Sequence, residues 1–330
     1  MLNYSMYNNV LDGKNILITG GTGSLGNDIL KELVNYSPNK VIVLSRDENK
    51  QFHMKNLWGK YPYIDFVLGD IRDAHRMMEV TKEIDIIIHA AALKHIPPSE
   101  REPMEFIKTN VLGAKNVIDA AIHNKVPVVI EVGTDKAVKP VNAYGMTKAL
   151  QEKLMLSTKS NGTRFVGVRY GNVIGSRGSV VPFFKEKIEK GEPLTITVPT
   201  MTRFLLKLPD AVDLIFYAIK NGGGGELFVK KMPAANIVDL AKAMAYAMTG
   251  KEDYPIEFIG IRPGEKIHEL LVSEDEMHRA VETDNHYIIH DFGKKKSNLI
   301  TKNITEYGSH NTEQLDREQI ISLLKESGWL

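Results

Sequence analysis

Cysteine is absent from this chain of 330 residues, so no disulfide, thiolate nucleophile or cysteine-ligated metal centre can form. The 10 histidines show no close grouping with carboxylates at metal-ligand spacing, and we predict no metal site. The net charge is only +1. Because proteins that bind nucleic acids usually carry an excess of basic residues, a nucleic-acid partner is not expected.

Long apolar runs are also missing. No run approaches the roughly 18 residues that a membrane-spanning helix needs. The opening stretch MLNYSMYNNVLDGKN lacks a basic segment followed by an apolar core, so it does not read as a signal peptide. We therefore expect a cytoplasmic protein with no membrane partner. The share of hydrophobic residues, 43%, is ordinary for a globular chain with a sizeable core.

Short β-branched runs alternate with helical stretches over the first half of the chain. Each run is apolar on both faces, as in the strands of a buried parallel sheet. The six runs are NILITGGTG, KVIVLSRD, FVLGDIRD, IDIIIHAAA, VPVVIEVGTDK and RFVGVRYGNVIG. This alternation predicts an α/β fold with a doubly wound parallel sheet and right-handed crossovers.

The pattern changes after about residue 172, where glycine and proline become frequent. Two amphipathic helices are predicted there, LPDAVDLIFYAIKN and NIVDLAKAMAYAMTG, and Gly250 is the expected cap of the second. We therefore predict a first domain over residues 1–171. A smaller lobe, interleaved with that domain, is predicted over residues 172–330.

The glycines of TGGTGSLG, residues 19–26, lie where the first strand meets the next helix. Gly20 permits the tight turn, Gly23 lets backbone approach a pyrophosphate, and Gly26 lets the helix pack closely on the sheet. Because strand and helix flank the motif as required, it predicts a Rossmann dinucleotide site. The rest of the expected phosphate loop consists of Thr22, Ser24 and Leu25.

The second strand ends in LSRDENK, where a contact with the adenosine ribose is expected. Arg46 comes first, and Lys50 follows. A guanidinium suits a 2′-phosphate because it offers several donors and a fixed charge. The sequence therefore favours NADP, although Asp47 is the acidic residue type that binds the free 2′-hydroxyl of NAD.

Residues after the third and fourth strands complete the expected cofactor site. Asp70 and Ile71 are placed to contact the adenine. Ala90, Ala91 and Lys94 follow the fourth strand and should border the nicotinamide ribose. The carboxyl ends of parallel strands share one edge of the sheet, so these segments are expected to lie close together.

The stretch GTDKAVKPVNAYGMTK, residues 133–148, contains a tyrosine four residues before a lysine. Tyr144 and Lys148 would lie one helical turn apart on the same face. Such a pair can move a proton beside a nicotinamide. A simple dehydrogenase has no need of the additional acid and base just upstream, Asp135 and Lys136.

Together with the glycine turn, this pair resembles the extended short-chain dehydrogenase/reductase superfamily. Further motifs are similar to those of the short UDP-N-acetylglucosamine 4,6-dehydratases, in particular the type that inverts C5. These motifs are AAALKH, TDKAVKPVNAYGMTK, RYGNVIGSRGSVVPFF, MTRF and RPGEKIHE. The resemblance covers roughly residues 13–290.

The resemblance implies a defined series of steps on the sugar. Oxidation of C4 to a ketone makes the C5 hydrogen acidic, and loss of the C6 hydroxyl as water then gives an enone. Return of the hydride to C6 leaves a 6-deoxy-4-keto sugar, so NADP is regenerated in each turnover. From UDP-N-acetylglucosamine the implied product is UDP-2-acetamido-2,6-dideoxy-β-L-arabino-hex-4-ulose.

The resemblance also implies a role for each residue of the catalytic stretch. Tyr144 is the base for the C4 hydroxyl, Thr134 hydrogen-bonds the same oxygen, and Lys148 favours the phenolate by its charge. Asp135 protonates the departing C6 hydroxyl, and Lys136 is the base for the C5 proton. Tyr144 and Lys136 would both need pKa values below their ordinary ones. Lysine at position 136, where retaining dehydratases typically have glutamate, implies inversion at C5.

A UDP-sugar site in the C-terminal lobe is implied as well. Arg203 of MTRF and Arg262 of RPGEK are the expected diphosphate ligands, since arginine pairs bidentately with phosphate oxygens. Glu265 is expected to bind the ribose hydroxyls or to orient Arg262. The remaining expected substrate contacts are His95, Asn172, Val180 and Thr197.

Alternatives stay open at this point. A UDP-hexose 4-epimerase would use Tyr144 and Lys148 but not Asp135 together with Lys136. A non-catalytic NADP-binding regulator would need neither pair. Gly133 stands where many relatives have serine, which removes a hydroxyl near the reacting centre.

The sequence leaves the downstream pathway undecided between pseudaminic acid and N-acetyl-L-fucosamine glycans, and it leaves further epimerisation at C5 or C2 open. A homo-oligomer with closed symmetry is the expected assembly, because extended members of this superfamily are commonly oligomers.

Overall fold

The computed structural model describes residues 4–176, 178–291 and 305–330. The strands are β1 Asn15–Thr19, β2 Lys40–Ser45, β3 Ile64–Leu68, β4 Ile86–His89, β5 Val128–Val132, β6 Arg164–Arg169, β7 Asn172–Val173, β8 Leu194–Ile196, β9 Thr202–Leu206, β10 Leu227–Lys230, β11 Ala234–Asn236, β12 Ile256–Phe258, β13 Leu270–Val272, β14 Ala280–Glu282, β15 His286–Ile289 and β16 Tyr307–Gly308.

The helices are α1 Asn8–Leu11, α2 Ser24–Leu33, α3 Glu48–Trp58, α4 Ala74–Val80, α5 Ile96–Arg101, α6 Pro103–Phe106, α7 Gly113–His123, α8 Ala143–Ser157, α9 Val180–Glu189, α10 Leu208–Asn221, α11 Ile237–Thr249, α12 Glu274–Met277 and α13 Arg317–Glu326. Short 3₁₀ turns cover Tyr4–Met6 and Asp135–Ala137, and a π-helical segment over Ile107–Leu112 joins α6 to α7.

Nine strands form the main sheet, in the order β14-β15-β10-β6-β5-β4-β1-β2-β3. The seven strands from β10 to β3 in this order pair in parallel, whereas β15 and β14 are antiparallel. The order of β3 to β6 is that of a doubly wound dinucleotide-binding sheet. The predicted α/β fold with a doubly wound parallel sheet is therefore confirmed.

Alternate residues of the central strands enter different cores, because side chains of a strand point to opposite faces in turn. Ile16 and Ile18 of β1 pack on the side of α2 and α10. Leu17 between them packs on the side of α4 and α7. Helices thus cover both faces of the sheet, which explains why its strands are apolar throughout.

A third core lies in the C-terminal part of the chain, where α9, α11 and α13 pack with β8 and β9. The predicted cap of α11 is confirmed, since Gly250 has a φ of 71° in the left-handed region. Strands β10, β14 and β15 also come from beyond residue 171, yet they extend the main sheet. The division into residues 1–171 and 172–330 stays a prediction.

The register of the parallel strands brings the functional segments to one edge. Thr19 of β1 aligns with His89 of β4, and His89 aligns with Glu131 of β5. The chain therefore leaves these three neighbouring strands at nearly the same level. The glycine turn, the loop after β4 and the stretch after β5 all begin there.

Arg169 at the end of β6 ties three elements together in the interior. It is 1% exposed, and its guanidinium donates to Glu152 of α8 at 2.6 and 3.1 Å and to Glu276 of α12 at 2.8 and 2.9 Å. A bond to the Leu271 carbonyl at 2.7 Å engages the last of its five N–H donors. Burial raises the pKa of Glu276, but the Arg169 charge outweighs burial and holds that pKa at about 2.

Arg169→Met is expected to lower the free energy of unfolding by about 3–5 kcal/mol, because it leaves two buried carboxylates without their cation. Urea denaturation followed by circular dichroism measures the change. The wild-type advantage should shrink as the pH falls from the ordinary glutamate pKa of about 4.3 toward the pKa of Glu276, about 2. As a control, Arg317→Met removes an exposed pair with Glu252 and should change stability little. An equally small loss for Arg169→Met would contradict the assigned role.

Candidate active site

The glycine turn between β1 and α2 has the geometry that a dinucleotide requires. Gly20 has a φ of +68°, which favours glycine, and a Cβ there would lie 2.7 Å from the Cα of Ala91. Gly26 packs so closely that a Cβ would lie 2.1 Å from the carbonyl oxygen of Gly21. Gly23 is the cap residue of α2, whose first amides have no partner within the helix. The turn and the start of α2 also contain Thr22, Ser24 and Leu25.

Arg46 and Asp47 follow β2 and have different surroundings. The Asp47 carboxylate caps α3, because it accepts a hydrogen bond from the Lys50 amide at 2.9 Å and pairs with the Lys50 ammonium at 2.6 Å. The Arg46 guanidinium is half exposed and lies 3.6 Å from Asp70. Arg46 is thus the member of the pair that faces the adjoining cleft. This open cleft, of about 430 Å³, is lined by Arg46, Glu48, Leu68, Gly69, Asp70, Asp73 and Arg76.

Asp70 and Ile71 lie at the same end of the site. Partial burial raises the pKa of Asp70, but the hydrogen bonds and the charge of Arg72 outweigh burial and hold that pKa below its ordinary value. Ile71 is buried, and its carbonyl accepts a hydrogen bond from the Asn116 side chain at 2.9 Å. The Asp70 side chain is therefore a charged carboxylate fixed by Arg72.

The loop after β4 is fastened to the glycine turn through Thr19. The Ala90 amide donates to the Thr19 carbonyl at 3.2 Å, and the Ala91 amide donates to the Thr19 hydroxyl at 3.3 Å. Lys94 lies exposed further along the loop. The two alanines are thus held where the cofactor prediction needs them, at the edge shared with Gly20.

Asn110 is a residue that the sequence reasoning missed. Its side chain accepts from the Leu93 amide at 2.8 Å and donates to the Leu93 carbonyl at 3.0 Å. It also donates to the Thr147 hydroxyl at 3.0 Å, which joins the loop after β4 to helix α8. Asn110 lies in the π-helical segment, a feature common at functional sites but without a signal in the sequence pattern.

Tyr144 and Lys148 lie one turn apart on α8, and both are buried. The Asn142 side chain caps this helix and so fixes the turn that carries Tyr144. The Lys148 ammonium donates to the Glu131 carboxylate at 3.0 Å and to the Val132 carbonyl at 2.8 Å. Strand β5 therefore sets the position of the lysine.

Asp135 and Lys136 begin the short 3₁₀ turn Asp135–Ala137 that follows β5, and Thr134 is its N-cap. The Thr134 hydroxyl and the Lys136 ammonium both donate to Asp135 Oδ1 at 3.0 Å. The Lys136 ammonium also donates to Asn172 Oδ1 at 3.3 Å and lies 3.6 Å from Glu269. The predicted acid and base are thus in direct contact.

The pKa values of two predicted catalytic residues, Lys136 and Tyr144, differ from the expected lowering. Burial lowers the pKa of Lys136, but the charges of Asp135 and Glu269 outweigh burial and raise that pKa above its ordinary value. Burial raises the pKa of Tyr144 to about 12, and the Lys136 charge with a Thr134 hydrogen bond offsets only part of this increase. The expectation was wrong for Lys136 because it ignored the two carboxylates that face the ammonium.

Two buried carboxylates near this stretch were also missed. Glu131 interrupts the apolar run of β5, which is the signal that could have identified it. Glu269 lies within the RPGEKIHE motif and is 3.6 Å from Lys136, 3.8 Å from Lys266 and 3.9 Å from Arg203. The site is therefore a cluster of alternating charges.

Arg203 has surroundings that the diphosphate prediction does not anticipate. It is 9% exposed, and its guanidinium donates to the carbonyls of Thr202, Lys266 and Ile267 at 2.7, 2.9 and 3.0 Å. These bonds fasten β9 to the segment of residues 262–269 and occupy most of the donors. The contact of Arg203 with a diphosphate stays a prediction. The three carbonyl bonds do not favour it, because they leave few guanidinium donors for a phosphate.

Thr197, Arg262 and Glu265 lie in one neighbourhood. The Thr197 hydroxyl donates to the Glu265 carboxylate at 3.2 Å, and the Glu265 amide donates to the Arg262 carbonyl at 3.1 Å. The Arg262 residue is exposed. An exposed arginine and a carboxylate oriented by Thr197 thus lie near the end of β8.

His95, Asn172 and Val180 occupy different parts of the site. The His95 ring lies against Gly178, where a Cβ would come within 2.9 Å of its Cε1 atom. Val180 is the first residue of α9, two positions further on. Asn172 reaches the catalytic stretch through its contact with Lys136. The structure therefore brings Asn172 to Lys136 and His95 to the loop that precedes α9.

Within the three described ranges of the chain, no group of three or more histidine, aspartate or glutamate side chains is placed to hold a metal ion. None of the helices described there combines the length and the apolar character needed to cross a membrane.

The polysaccharide biosynthesis protein family matches residues 16–291 of the chain. A UDP-N-acetylglucosamine 4,6-dehydratase (inverting) of Campylobacter jejuni is 48% identical over 282 residues, which are 84% of this chain and 82% of that protein. A UDP-glucose 4-epimerase of Rickettsia bellii is 44% identical over 331 residues, which are 94% of this chain and 95% of that protein.

Two solved structures are similar to this chain. Pen from Bacillus thuringiensis has a TM-score of 0.90 at 37% identity, and the match covers 97% of this chain and 99% of that one. The dTDP-glucose 4,6-dehydratase DesIV from Streptomyces venezuelae, solved with NAD and TYD bound, has a TM-score of 0.70 at 21% identity over 77% of this chain and 86% of that one. At that identity the likeness to DesIV concerns the fold alone.

The family match spans most of the chain, and the relative of 48% identity carries the name that the sequence motifs indicate. The predicted resemblance is therefore confirmed, and the chain belongs to the polysaccharide biosynthesis protein family.

Proposed function

We propose that this chain is a UDP-N-acetylglucosamine 4,6-dehydratase that uses NADP and inverts C5. The observation that carries the proposal is the buried contact of Asp135 with Lys136 beside Tyr144. Elimination of water needs an acid and a base in addition to the residues that serve oxidation. The name of the Campylobacter jejuni relative supports the same reaction.

The glycine turn fits a nicotinamide dinucleotide. At Gly20 the backbone approaches Ala91 too closely for any side chain, and Gly23 opens the N-terminus of α2 to a pyrophosphate. Tyr144 and Lys148 are the residues proposed to meet the nicotinamide ribose. When bound, the cofactor supplies the hydride acceptor for C4 and returns that hydride to C6.

Each residue of the catalytic stretch then has one task. Tyr144 takes the proton of the C4 hydroxyl as C4 becomes a ketone, and Thr134 hydrogen-bonds the same oxygen. Lys136 accepts the C5 proton, which the ketone has made acidic. Asp135 delivers a proton to the C6 hydroxyl, which leaves as water. Reprotonation of C5 on the opposite face inverts that centre.

The contact between Asp135 and Lys136 accounts for their opposite roles. In the ion pair the carboxylate is charged and the amine is protonated, which is the reverse of what elimination needs. Transfer of one proton from Lys136 Nζ to Asp135 Oδ1 across 3.0 Å gives a neutral acid and a neutral amine. Burial favours this neutral form, because charges removed from water are costly. A sugar that excludes water from the site would favour it further.

The UDP group is proposed to bind near the end of β8. Arg262 is exposed and offers bidentate donors to the diphosphate. Glu265, oriented by Thr197, is proposed for the ribose hydroxyls. Val180 would contribute a wall against the uridine, and His95 lies against the same loop.

The preference for NADP over NAD is supported by the end of β2. The Asp47 carboxylate is engaged with Lys50, whereas the Arg46 guanidinium is half exposed beside the cleft. Arg76 lines the same cleft. Guanidinium groups that line one cleft suit the doubly charged 2′-phosphate.

UDP-hexose 4-epimerisation is the second candidate, favoured by the name of the Rickettsia bellii relative. It would use Tyr144 and Lys148 for proton removal during oxidation of C4 by the cofactor, but it would need no acid for C6. The buried Asp135 and Lys136 pair therefore favours dehydration.

A homo-oligomer and a cytoplasmic location stay predictions. Apolar side chains on neighbouring helical segments are exposed, at 52% for Leu112, 51% for Met146 and 53% for Leu150. Burial of such groups against a second copy would support an oligomer.

Lys136→Ala is expected to abolish incorporation of solvent deuterium at C5 and to slow water loss by about 10²–10⁴-fold, the usual contribution of a general base. Mass spectrometry and NMR of the reaction in heavy water measure both effects. The cofactor should remain bound, since Lys136 faces the sugar. Lys153→Ala, at an exposed position of α8, is the control and should keep the wild-type rate. Full turnover by Lys136→Ala would refute the role of Lys136.

Arg46→Ala is expected to weaken NADP binding by about tenfold or more, because a charged hydrogen bond contributes roughly 1.5–3 kcal/mol. NAD binding should change little, so the ratio of the dissociation constant for NAD to that for NADP should fall. Isothermal titration measures both. Lys40→Ala removes a cation that pairs with Asp65 at the opposite end of β2, and it should leave the ratio unchanged. An unchanged ratio in Arg46→Ala would contradict the NADP preference.

A further inference from the structure

Glu131 is a buried carboxylate that the proposed steps do not use. It lies in β5 with 0% exposure, one residue before the end of the strand. One of its oxygens accepts hydrogen bonds from the Lys148 ammonium at 3.0 Å and from the Gln151 side chain at 3.2 Å. Because a buried carboxylate is costly unless it is paired, the ion pair with Lys148 compensates the charge of Glu131.

The pairing determines where the Lys148 ammonium lies. Its two hydrogen-bond acceptors are the Glu131 carboxylate and the Val132 carbonyl, which are consecutive residues of one strand. Lys148 is one helical turn from Tyr144, and both side chains are buried. The carboxylate therefore holds the charge that is expected to stabilise the Tyr144 phenolate.

Gly133 provides the space for this carboxylate. A Cβ at position 133 would lie 3.3 Å from Glu131 Oε2 and 2.7 Å from the Val168 carbonyl oxygen. Within the described residues, Glu131 Oε2 is buried and has no hydrogen-bond partner. A serine at position 133 would thus crowd the Glu131 carboxylate.

We infer that Glu131 is a positioning residue for the oxidation of C4. It fixes the Lys148 ammonium by a buried ion pair, and its negative charge sets the pH range in which Tyr144 acts as a base. This inference rests on the proposed function only for the first step, proton removal by Tyr144. That step is common to dehydration and 4-epimerisation.

Charged and titratable groups face Glu131 from each neighbouring element. Because Arg169 is paired with Glu152, Lys148 is the cation that compensates Glu131. Burial raises the pKa of Glu131 to about 7, and the Lys148 charge opposes this increase. The facing groups are Lys148 and Glu152 on α8, Arg169 on β6, Tyr170 after β6, His89 on β4 and Tyr144 on α8.

The direction of the pH effect follows from the charges. The negative charge of Glu131 contributes to the raised pKa of Tyr144. Removal of this charge leaves the Lys148 ammonium unopposed, which favours the phenolate. The rate of C4 oxidation falls as the pH drops below the pKa of Tyr144, because the tyrosine is then protonated and cannot act as a base. Without the Glu131 charge, this acidic limb should therefore move to lower pH.

Glu131→Gln tests the inference, because glutamine keeps a hydrogen-bond acceptor for Lys148 and removes the charge. Stopped-flow absorbance of cofactor reduction, after mixing with UDP-N-acetylglucosamine over a range of pH, should show the acidic limb at lower pH with KM unchanged. Ultraviolet difference titration against the matching Tyr144→Phe proteins, without substrate, should show the Tyr144 phenolate forming at lower pH. Glu131→Ala also loses the acceptor, and its oxidation rate should fall on the order of a hundredfold.

Glu226→Gln is the matched control, since this buried carboxylate instead accepts hydrogen bonds from the amides of Gly223 and Gly224. It should change stability without moving the acidic limb. An unchanged limb and an unchanged phenolate titration in Glu131→Gln would overturn the inference, as would an equal shift in Glu226→Gln. Absence of water loss in the wild type would instead refute the dehydratase proposal, and it would leave the Glu131 test intact.

Discussion

The hydrogen bond from Lys136 to Asp135 is the interaction on which the proposed chemistry depends. It joins an acid and a base at 3.0 Å where Asp135 is 1% exposed. A pair of this kind can exist as two charges or, after one proton transfer, as two neutral groups. Glu269 favours the charged form because its carboxylate lies 3.6 Å from the Lys136 ammonium. Exclusion of water by a bound sugar would favour the neutral form.

The parallel sheet supplies the geometry for this pair. Strands β1, β4 and β5 end at nearly the same level, and their following segments form the glycine turn, the Ala90 loop and the Asp135 turn. Two buried carboxylates, Glu131 and Glu269, lie against the lysines of the proposed chemistry. Lys148 pairs with Glu131, whereas Lys136 faces Glu269 in addition to Asp135.

The sheet, the glycine turn and the spacing of Tyr144 and Lys148 could be predicted because each depends on a local pattern. Apolar runs form strands, the glycines permit one turn, and a four-residue spacing gives one helical face. Asp135 and Lys136 were found by the same local reasoning, with a family resemblance to assign their roles. These residues stand next to each other in the sequence, so their proximity needed no tertiary information.

Other features depend on contacts between distant segments. The carbonyls that bind the Arg203 guanidinium include those of Lys266 and Ile267, more than sixty positions along the chain. The raised pKa of Lys136 comes partly from Glu269, which lies far away in the sequence. Asn110 binds Leu93 and Thr147 from a π-helical segment that the sequence pattern does not predict. Such interactions follow from tertiary packing and could not be deduced from spacing.

We propose that Asp135 and Lys136 remove water from a sugar whose C4 has been oxidised by the nicotinamide with Tyr144 as the base. The most direct test is incubation of the wild-type protein with UDP-N-acetylglucosamine in heavy water, followed by mass spectrometry and NMR of the product. We expect a 4-keto product that has lost one water and carries deuterium at an inverted C5. A C4 epimer of unchanged mass, without deuterium at C5, would contradict it.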